Sequence, residues 1–363
     1  MYDQLIVGSA PGDAITMCAL GLKAALDELG PTQVYSQFWE GNMKRHFLPT
    51  DELGMRPNRR RPLIFHASNG CGPLFRQLMA VEDEIILWYH NISPPELMAP
   101  FSPEIASDLI RGRWELQQLV DRTVFAIAAS EFNAAELREM GYRDVRVVPP
   151  LPNVNRLLTT PPDTRIERKL AKWGPKGERP PLVLVVSQQF PHKRIDRAVA
   201  AAAVLQQEYL PQAILAVTGV WRFEEYSAPL RAFAVQCGLE RVEWLGRVTD
   251  AQLSAMFRRA DVLLIPSEHE GFCVPAIEAM AVGLPVVASR RAAIPETVGD
   301  AAILLDDPDD AMTTAALLNE VITNSTLRAE LVRRGRERAP QFDADAALAT
   351  FMRLVRDEFG ALA

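Results

Sequence analysis

Two glutamates, Glu270 and Glu278, stand with seven residues between them in the stretch Asp261–Asp300, DVLLIPSEHEGFCVPAIEAMAVGLPVVASRRAAIPETVGD. A strand-like run, Val262–Pro266, leads into a loop and then a helix with Pro275 near its first turn. A helix N-terminus after a strand is an anion site, because free N–H groups and the positive end of the dipole face outward. The backbone of Gly271, Phe272, Cys273 and Val274 would cradle a phosphate there. Carboxylates beside a phosphate repel it, so both must point elsewhere, and an ionised carboxylate accepts both hydroxyls of a vicinal diol. Glu278 would hold a ribose, and Glu270 a sugar on the far side of a diphosphate. The plainer alternative makes Glu278 a surface helix residue and Glu270 a loop charge.

Other residues suit the same chemistry. Lys193, in SQQFPHKRID, follows a strand-like run and would neutralise a diphosphate as its bond to a sugar breaks. Otherwise it is a solvated loop lysine. In the first loop, GSAPGDAIT, Gly12 permits close backbone approach to a ligand and Asp13 is a natural helix N-cap. His90 and Asn91 close the run IILWYHN, and Pro94–Pro95 block its continuation. A histidine at the carboxyl end of such a strand faces a ligand cleft, or else packs beside Trp88 or Tyr89.

Positioning these groups takes alternating strands and helices. Gln4–Gly8, Gln33–Phe38, Leu63–Ala67, Glu84–Tyr89, Val124–Ala129 and Val145–Pro149 read as strands, as do six apolar runs between Leu182 and Leu305. Helical patterns intervene, which predicts parallel sheets built from βαβ units. The polar, Pro-rich stretch Pro149–Pro181 reads as a break between two such halves. The expected fold class is therefore α/β, with two doubly wound, Rossmann-like domains facing across a cleft. The boundaries are 1–150, a linker 151–180, 181–342, and a terminal helix 343–363 crossing back to the first domain. In that helix Ala347, Phe351, Val355 and Phe359 form a packing stripe.

Composition bounds the possibilities. At 363 residues, with 48% apolar and 23% charged, the chain has the length and make-up of about two globular domains. The four cysteines, Cys18, Cys71, Cys237 and Cys273, are far apart, which fits a reduced cytoplasm and opposes a disulfide scaffold or a zinc motif. The start MYDQLIVGSAPGD has no basic region and does not read as a signal peptide. A net charge of −7 argues against a nucleic-acid partner.

The combined pattern E-G-F-x-x-P-x-x-E-A-M-A-x-G-x-P-V-V resembles the E-x(7)-E hallmark of retaining, nucleotide-sugar-dependent glycosyltransferases of the GT-B fold, family 4. Further counterparts lie in order along nearly the whole chain: Pro11–Ile15, Tyr89–Glu96, Ser130–Tyr142, Pro191–Asp196 and Gly246–Leu253. The resemblance implies transfer of a hexose from a nucleoside diphosphate sugar, either GDP-mannose-like or a UDP-hexose, to an acceptor hydroxyl. It places the Gly12–Asp13 loop near the donor phosphates or the acceptor, with Asn91 beside it. It makes His90 a contact to the sugar or a support for the leaving phosphate. It seats the nucleotide base at Gly246–Asp250, where backbone near Val248 would read the base edge. There Asp250 would accept from guanine N1 and N2, unless Thr249 or Asp250 simply caps the following helix. Related enzymes usually carry Gly-Arg five residues before Lys193, where this chain has Ser187–Gln188. Gln188 is then a neutral substitute, and Arg194 a possible compensating charge.

No metal or other cofactor is implied, since a lysine and a helix end supply the positive charge. The D-x-D pairs Asp307–Asp309 and Asp343–Asp345 read as a turn and a helix start. Lys44, Arg45, Arg56 and Arg59–Arg61 form a basic cluster that either touches anionic lipid or is a solvated face. The basic stretch Arg165–Arg179 leaves the same choice. The expected partners are the donor and a glycan, lipid-linked or small-molecule acceptor, in surface polysaccharide or other glycan synthesis. The expected location is the cytoplasm, with possible peripheral contact at the inner membrane face. The rival readings are a non-catalytic sugar-nucleotide binder and a nucleotide-sugar 2-epimerase, the latter ill-served by only five histidines. A dehydrogenase is disfavoured because no G-x-G-x-x-G follows a strand.

Overall fold

The computed structural model describes residues 2–55, 62–152, 155–172, 179–220 and 224–360. Arg56 and Arg59–Arg61 of the basic cluster, and residues 173–178 of the second basic stretch, lie outside them. The chain forms two compact units, one of Met1–Ala99, Pro103–Pro152 and Phe342–Ala363, the other of Pro100–Ser102 and Asn153–Gln341.

The first unit is built on a parallel sheet of β1 (Asp3–Ser9), β2 (Val34–Trp39), β3 (Leu48–Pro49), β4 (Leu63–Ala67), β5 (Ile85–Tyr89), β6 (Thr123–Ala128) and β7 (Val145–Val147). The strand order is β3-β2-β1-β4-β5-β6-β7. Runs such as LIFHA and IILWY are buried throughout, as strands covered on both faces must be. Its helices are α1 (Ala14–Leu26), α2 (Pro73–Ala80), α3 (Pro103–Leu119) and α4 (Glu131–Glu139). Alpha-helix α2 has no counterpart in the sequence reading, because eight residues carry too little periodicity.

In the second unit α5 (Arg156–Thr159) and α6 (Thr164–Ala171) precede β8 (Leu182–Val186). The stretch expected as a linker thus carries two short helices among its described residues, and it belongs to this unit from Asn153 onward. The physical reason is tertiary: Ser254 and Arg258 donate to the carbonyls of Leu157, Leu158 and Thr160, tying the polar stretch down. The chain continues through α7 (Ile195–Val204), β9 (Ile214–Thr218), α8 (Glu224–Gln236), β10 (Val242–Gly246), α9 (Asp250–Arg259), β11 (Val262–Ile265), α10 (Val274–Val282), β12 (Val286–Ser289), α11 (Ile294–Val298), β13 (Ala302–Leu305), α12 (Ala311–Thr323) and α13 (Ser325–Arg338). These strands form one parallel sheet, β10-β9-β8-β11-β12-β13. Pro100–Ser102 joins this unit through Phe101, which packs edge-on against Tyr226 at 5.2 Å.

The last helix, α14 (Ala344–Phe359), is capped by Asp343 and returns to the first unit. Its stripe of Ala347, Phe351 and Val355 is buried there, with the Phe351 ring 5.2 Å from that of Trp88.

Strand order reverses between β1 and β4 in one sheet and between β8 and β11 in the other. Loops leaving adjacent strands at such a switch point part to opposite sides, and ligands bind in the crevice they leave.

Candidate active site

In the second unit the loops after β8 and β11 lie side by side, joined by a 2.8 Å hydrogen bond from the Glu268 N–H to the His192 carbonyl. Lys193 Nζ donates to Glu270 Oε1 at 2.7 Å, and the Ser267 hydroxyl donates to the same oxygen at 2.9 Å. Both charged side chains are largely buried. A small cavity beside them is lined by Ser187, Lys193, Ser267, Glu270, Cys273 and Pro275. Gly219 keeps the first loop in place: at φ +133°, a Cβ there would stand 1.6 Å from the Ser187 carbonyl oxygen.

The loop is unusually short of internal satisfaction. Ser187 Oγ, both amide atoms of Gln189 and His192 Nδ1 are buried without a hydrogen-bond partner among the described residues. Gln188, half-buried, has its carbonyl engaged by the Phe190 N–H. Burial holds His192 neutral, with Lys193 and His269 adding to the effect.

The α10 N-terminus opens directly onto this cavity. Cys273, its cap, sits in the left-handed region at φ +79°, a cost of about 1–3 kcal/mol for a residue with a side chain. The Phe272 carbonyl is taken by the Thr297 hydroxyl, which fixes the turn, and of Gly271–Val274 it is Cys273 that lines the cavity. Burial, with Glu270 nearby, pushes the Cys273 thiol far up, so it is no thiolate nucleophile.

Glu278, one turn into α10, is buried and its carboxyl is raised by desolvation. Arg156 counters this: one nitrogen donates to Glu278 Oε1 at 2.7 Å, the other to Asp250 Oδ1 at 2.5 Å. Thr249 is the cap of α9, in a capping box with Gln252, so Asp250 is left free of that task. Val248, half-buried, immediately precedes the cap. Arg156 escaped the sequence reading because it stands in a polar stretch read as a linker, 122 residues from Glu278.

Arg194, the candidate compensating charge, is paired with carboxylates. At φ +48° its guanidinium is held by Asp196 at 2.8 Å and Asp309 at 2.8 Å. Buried Arg197 also pairs with Asp309, at 2.7 Å, and holds that carboxyl down to about 2. Asp309 of the Asp307–Asp309 pair is therefore an arginine anchor, while Asp343 caps α14.

In the first unit, Gly12 is exposed at φ +75° and Asp13 caps α1, accepting from the Thr16 N–H at 2.9 Å. Asn91, at φ +85°, donates to Asn133 at 2.8 Å. His90 follows β5 with its ring stacked near Trp88, and its Nε2 lies 2.8 Å from His66 Nδ1. His66 Nε2 in turn lies 2.9 Å from Gln4 Oε1, while Gln4 Nε2 donates to the Ala19 carbonyl. That carbonyl can only accept, so Gln4 Oε1 accepts from His66 Nε2–H, leaving His66 Nδ1 a bare acceptor. His90 must then donate from Nε2 and keep an unprotonated Nδ1. Burial pushes His90 down to about 3 and His66 well below its usual value, so both are neutral.

Cys18, His66 and His90 bring three candidate metal ligands within 4.8 Å. They fit a metal poorly: both His66 nitrogens are engaged, and burial pushes the Cys18 thiol up to about 12. Neither Cys18 nor His66 carries a sequence signal of this proximity.

Two doubly wound parallel sheets, with a lysine–glutamate pair beside a helix N-terminus at a switch point, define the GT-B architecture of glycosyltransferases. The solved structure of Anabaena HepE in complex with UDP and glucose superposes with a TM-score of 0.74 at 18% identity, covering 98% of this chain and 100% of that one. Residues 167–338 match the family model Glycosyl transferases group 1. The chain is 37% identical over 101 residues to the O-antigen chain mannosyltransferase B of Escherichia coli, which is 28% of this chain and 26% of that protein. It is 32% identical over 161 residues to the MMP alpha-(1->4)-mannosyltransferase of Mycolicibacterium hassiacum, 44% of this chain and 38% of that protein. It thus spans well under half the length of these relatives. No described helix is long and apolar enough to cross a membrane.

Proposed function

We propose that this chain is a retaining glycosyltransferase, moving a hexose from a nucleoside diphosphate sugar to an acceptor hydroxyl without a metal. The observation that carries it is the Lys193–Glu270 pair beside the α10 N-terminus. Lys193 and the N–H groups of Gly271–Val274 neutralise the departing diphosphate, the contribution a metal supplies elsewhere. Glu270 accepts from the transferred sugar's hydroxyls, and Glu278 from the ribose. With the Cys273 thiol held neutral, attack on the same face assisted by the leaving phosphate is the favoured route to retention. The two mannosyltransferase relatives favour a GDP-mannose-like donor and HepE, bound to UDP, a UDP-hexose. The acceptor is a glycan, lipid-linked or small-molecule hydroxyl.

Thermal shift against GDP-mannose, UDP-glucose, UDP-N-acetylglucosamine and dTDP-sugars identifies the donor. Lys193→Ala and Glu270→Ala then lower turnover by roughly 10²–10³, and unchanged turnover in both overturns the assignment. One observation supports a second reading, a non-catalytic sugar-nucleotide binder: Gln188 stands where a second loop cation is usual, and Arg194 is committed to carboxylates. Tight donor binding by calorimetry, with neither hydrolysis nor transfer, would establish it.

A further inference from the structure

Glu278 is a buried carboxylate of the proposed donor site, and burial works against its charge. A carboxylate in such a place keeps its charge only with a paired, hydrogen-bonding partner. Arg156 is that partner. Its planar fork spans two carboxylates on different elements, Asp250 at the head of α9 and Glu278 inside α10, from a short helix that packs against both. The α5 backbone is itself pinned by Ser254 and Arg258 of α9, so the guanidinium is aimed by tertiary contacts.

We propose that Arg156 is a positioning residue of the donor site, holding Glu278 charged and oriented to accept the ribose hydroxyls and tying it to Asp250 on the base side. This rests on Glu278 being the ribose ligand. Arg156 takes Oε1, and the second oxygen of the same carboxylate keeps its acceptor capacity for a diol. The groups that set the charge of Glu278 are Arg156 on α5, which favours it, and Asp250 on α9, which opposes it. The buried Cys273 heads the same helix, and Arg336 on α13 stands by Gly283 at its far end. With Arg156 gone, burial and Asp250 act unopposed, and Glu278 takes up a proton at higher pH. A protonated carboxyl accepts less well from a diol, so donor binding then weakens as pH falls.

The test measures donor dissociation constants by calorimetry on the full chain between about pH 6 and about pH 9, for wild type, Arg156→Gln, Arg156→Lys and Glu278→Gln. We expect Arg156→Gln to bind about tenfold more weakly near neutral pH, to recover toward wild type in alkali, and to be largely rescued by Arg156→Lys. A loss of equal size at every pH, unrescued by lysine, would mean a merely structural arginine and overturn the proposal. So would wild-type affinity in Arg156→Gln alongside a clear loss in Glu278→Gln. Wild-type affinity in Glu278→Gln would instead sink the ribose assignment beneath it. If Arg156→Gln fails to fold, Arg156→Lys against wild type carries the same pH comparison, a flat wild-type-like profile supporting the proposal and a uniform loss opposing it.

Discussion

Lys193 donates to Glu270 at 2.7 Å although 77 residues separate them, because each sits on the first loop after one of the two strands that flank the reversal of the sheet. Ser267 adds a second donor to the same carboxylate oxygen. The pair is a preorganised charge couple.

Because the two side chains act as one unit, their losses overlap. Lys193→Ala and Glu270→Ala should each cut turnover by roughly 10²–10³, and the double variant by far less than the product. A full double-mutant cycle on turnover checks this. Strict additivity would mean that the two residues work independently.

The hydrogen-bond chain from Ala19 through Gln4 and His66 sets the tautomer of His90. Long-range nitrogen–proton NMR should find both rings neutral at pH 5, protonated on Nε2, with a bare Nδ1 on His90. In Gln4→Leu the constraint on His66 is lost, and a mixture of tautomers is expected at both rings.

Three histidines, His66, His90 and His192, are held neutral by burial in the folded chain and titrate near 6.5 when unfolded. The unfolded state therefore binds more protons below that pH, so their effect is to lower stability as pH falls through about 6.5. Denaturant titrations at pH 7.5 and pH 5 (both chosen to bracket that value) should show the loss. It should be smaller in a His66→Gln, His192→Gln variant.

Asp309 neutralises the buried Arg197, whereas nothing comparable holds Asp307 among the described residues. Asp309→Ala should cost about 1–3 kcal/mol in denaturant titrations, the penalty for leaving a buried donor short of its partner. Asp307→Ala should lie within about 0.5 kcal/mol of wild type. Equal effects of the two on activity, with no change in stability, would restore the D-x-D pair as a functional site.

Gly219→Ala must displace the Ser187 carbonyl, which the added Cβ would meet at 1.6 Å, and must hold an unfavourable φ of +133°. Both the melting temperature and donor affinity should fall, since the displaced segment leads into Gln188 and Lys193. Retained donor affinity in a destabilised but folded variant would separate this loop from the donor site.

The alternation of apolar runs with amphipathic stretches was enough to specify two parallel α/β sheets, because strands buried on both faces and helices buried on one leave different periodicities in the chain. Glu270, Glu278 and Lys193 were visible as types and spacings, since a helix start after a strand and a lysine after another are local patterns. The pairing of Lys193 with Glu270 depended on strand order, which no local pattern encodes. Arg156 meeting Glu278, Arg194 turning to Asp196 and Asp309, and His66 orienting His90 were likewise decided by tertiary structure. Charge and hydrogen bonds act over a few ångströms, so a side chain's role is fixed by what folding brings beside it, from 2 residues away for Asp196 to 122 for Glu278.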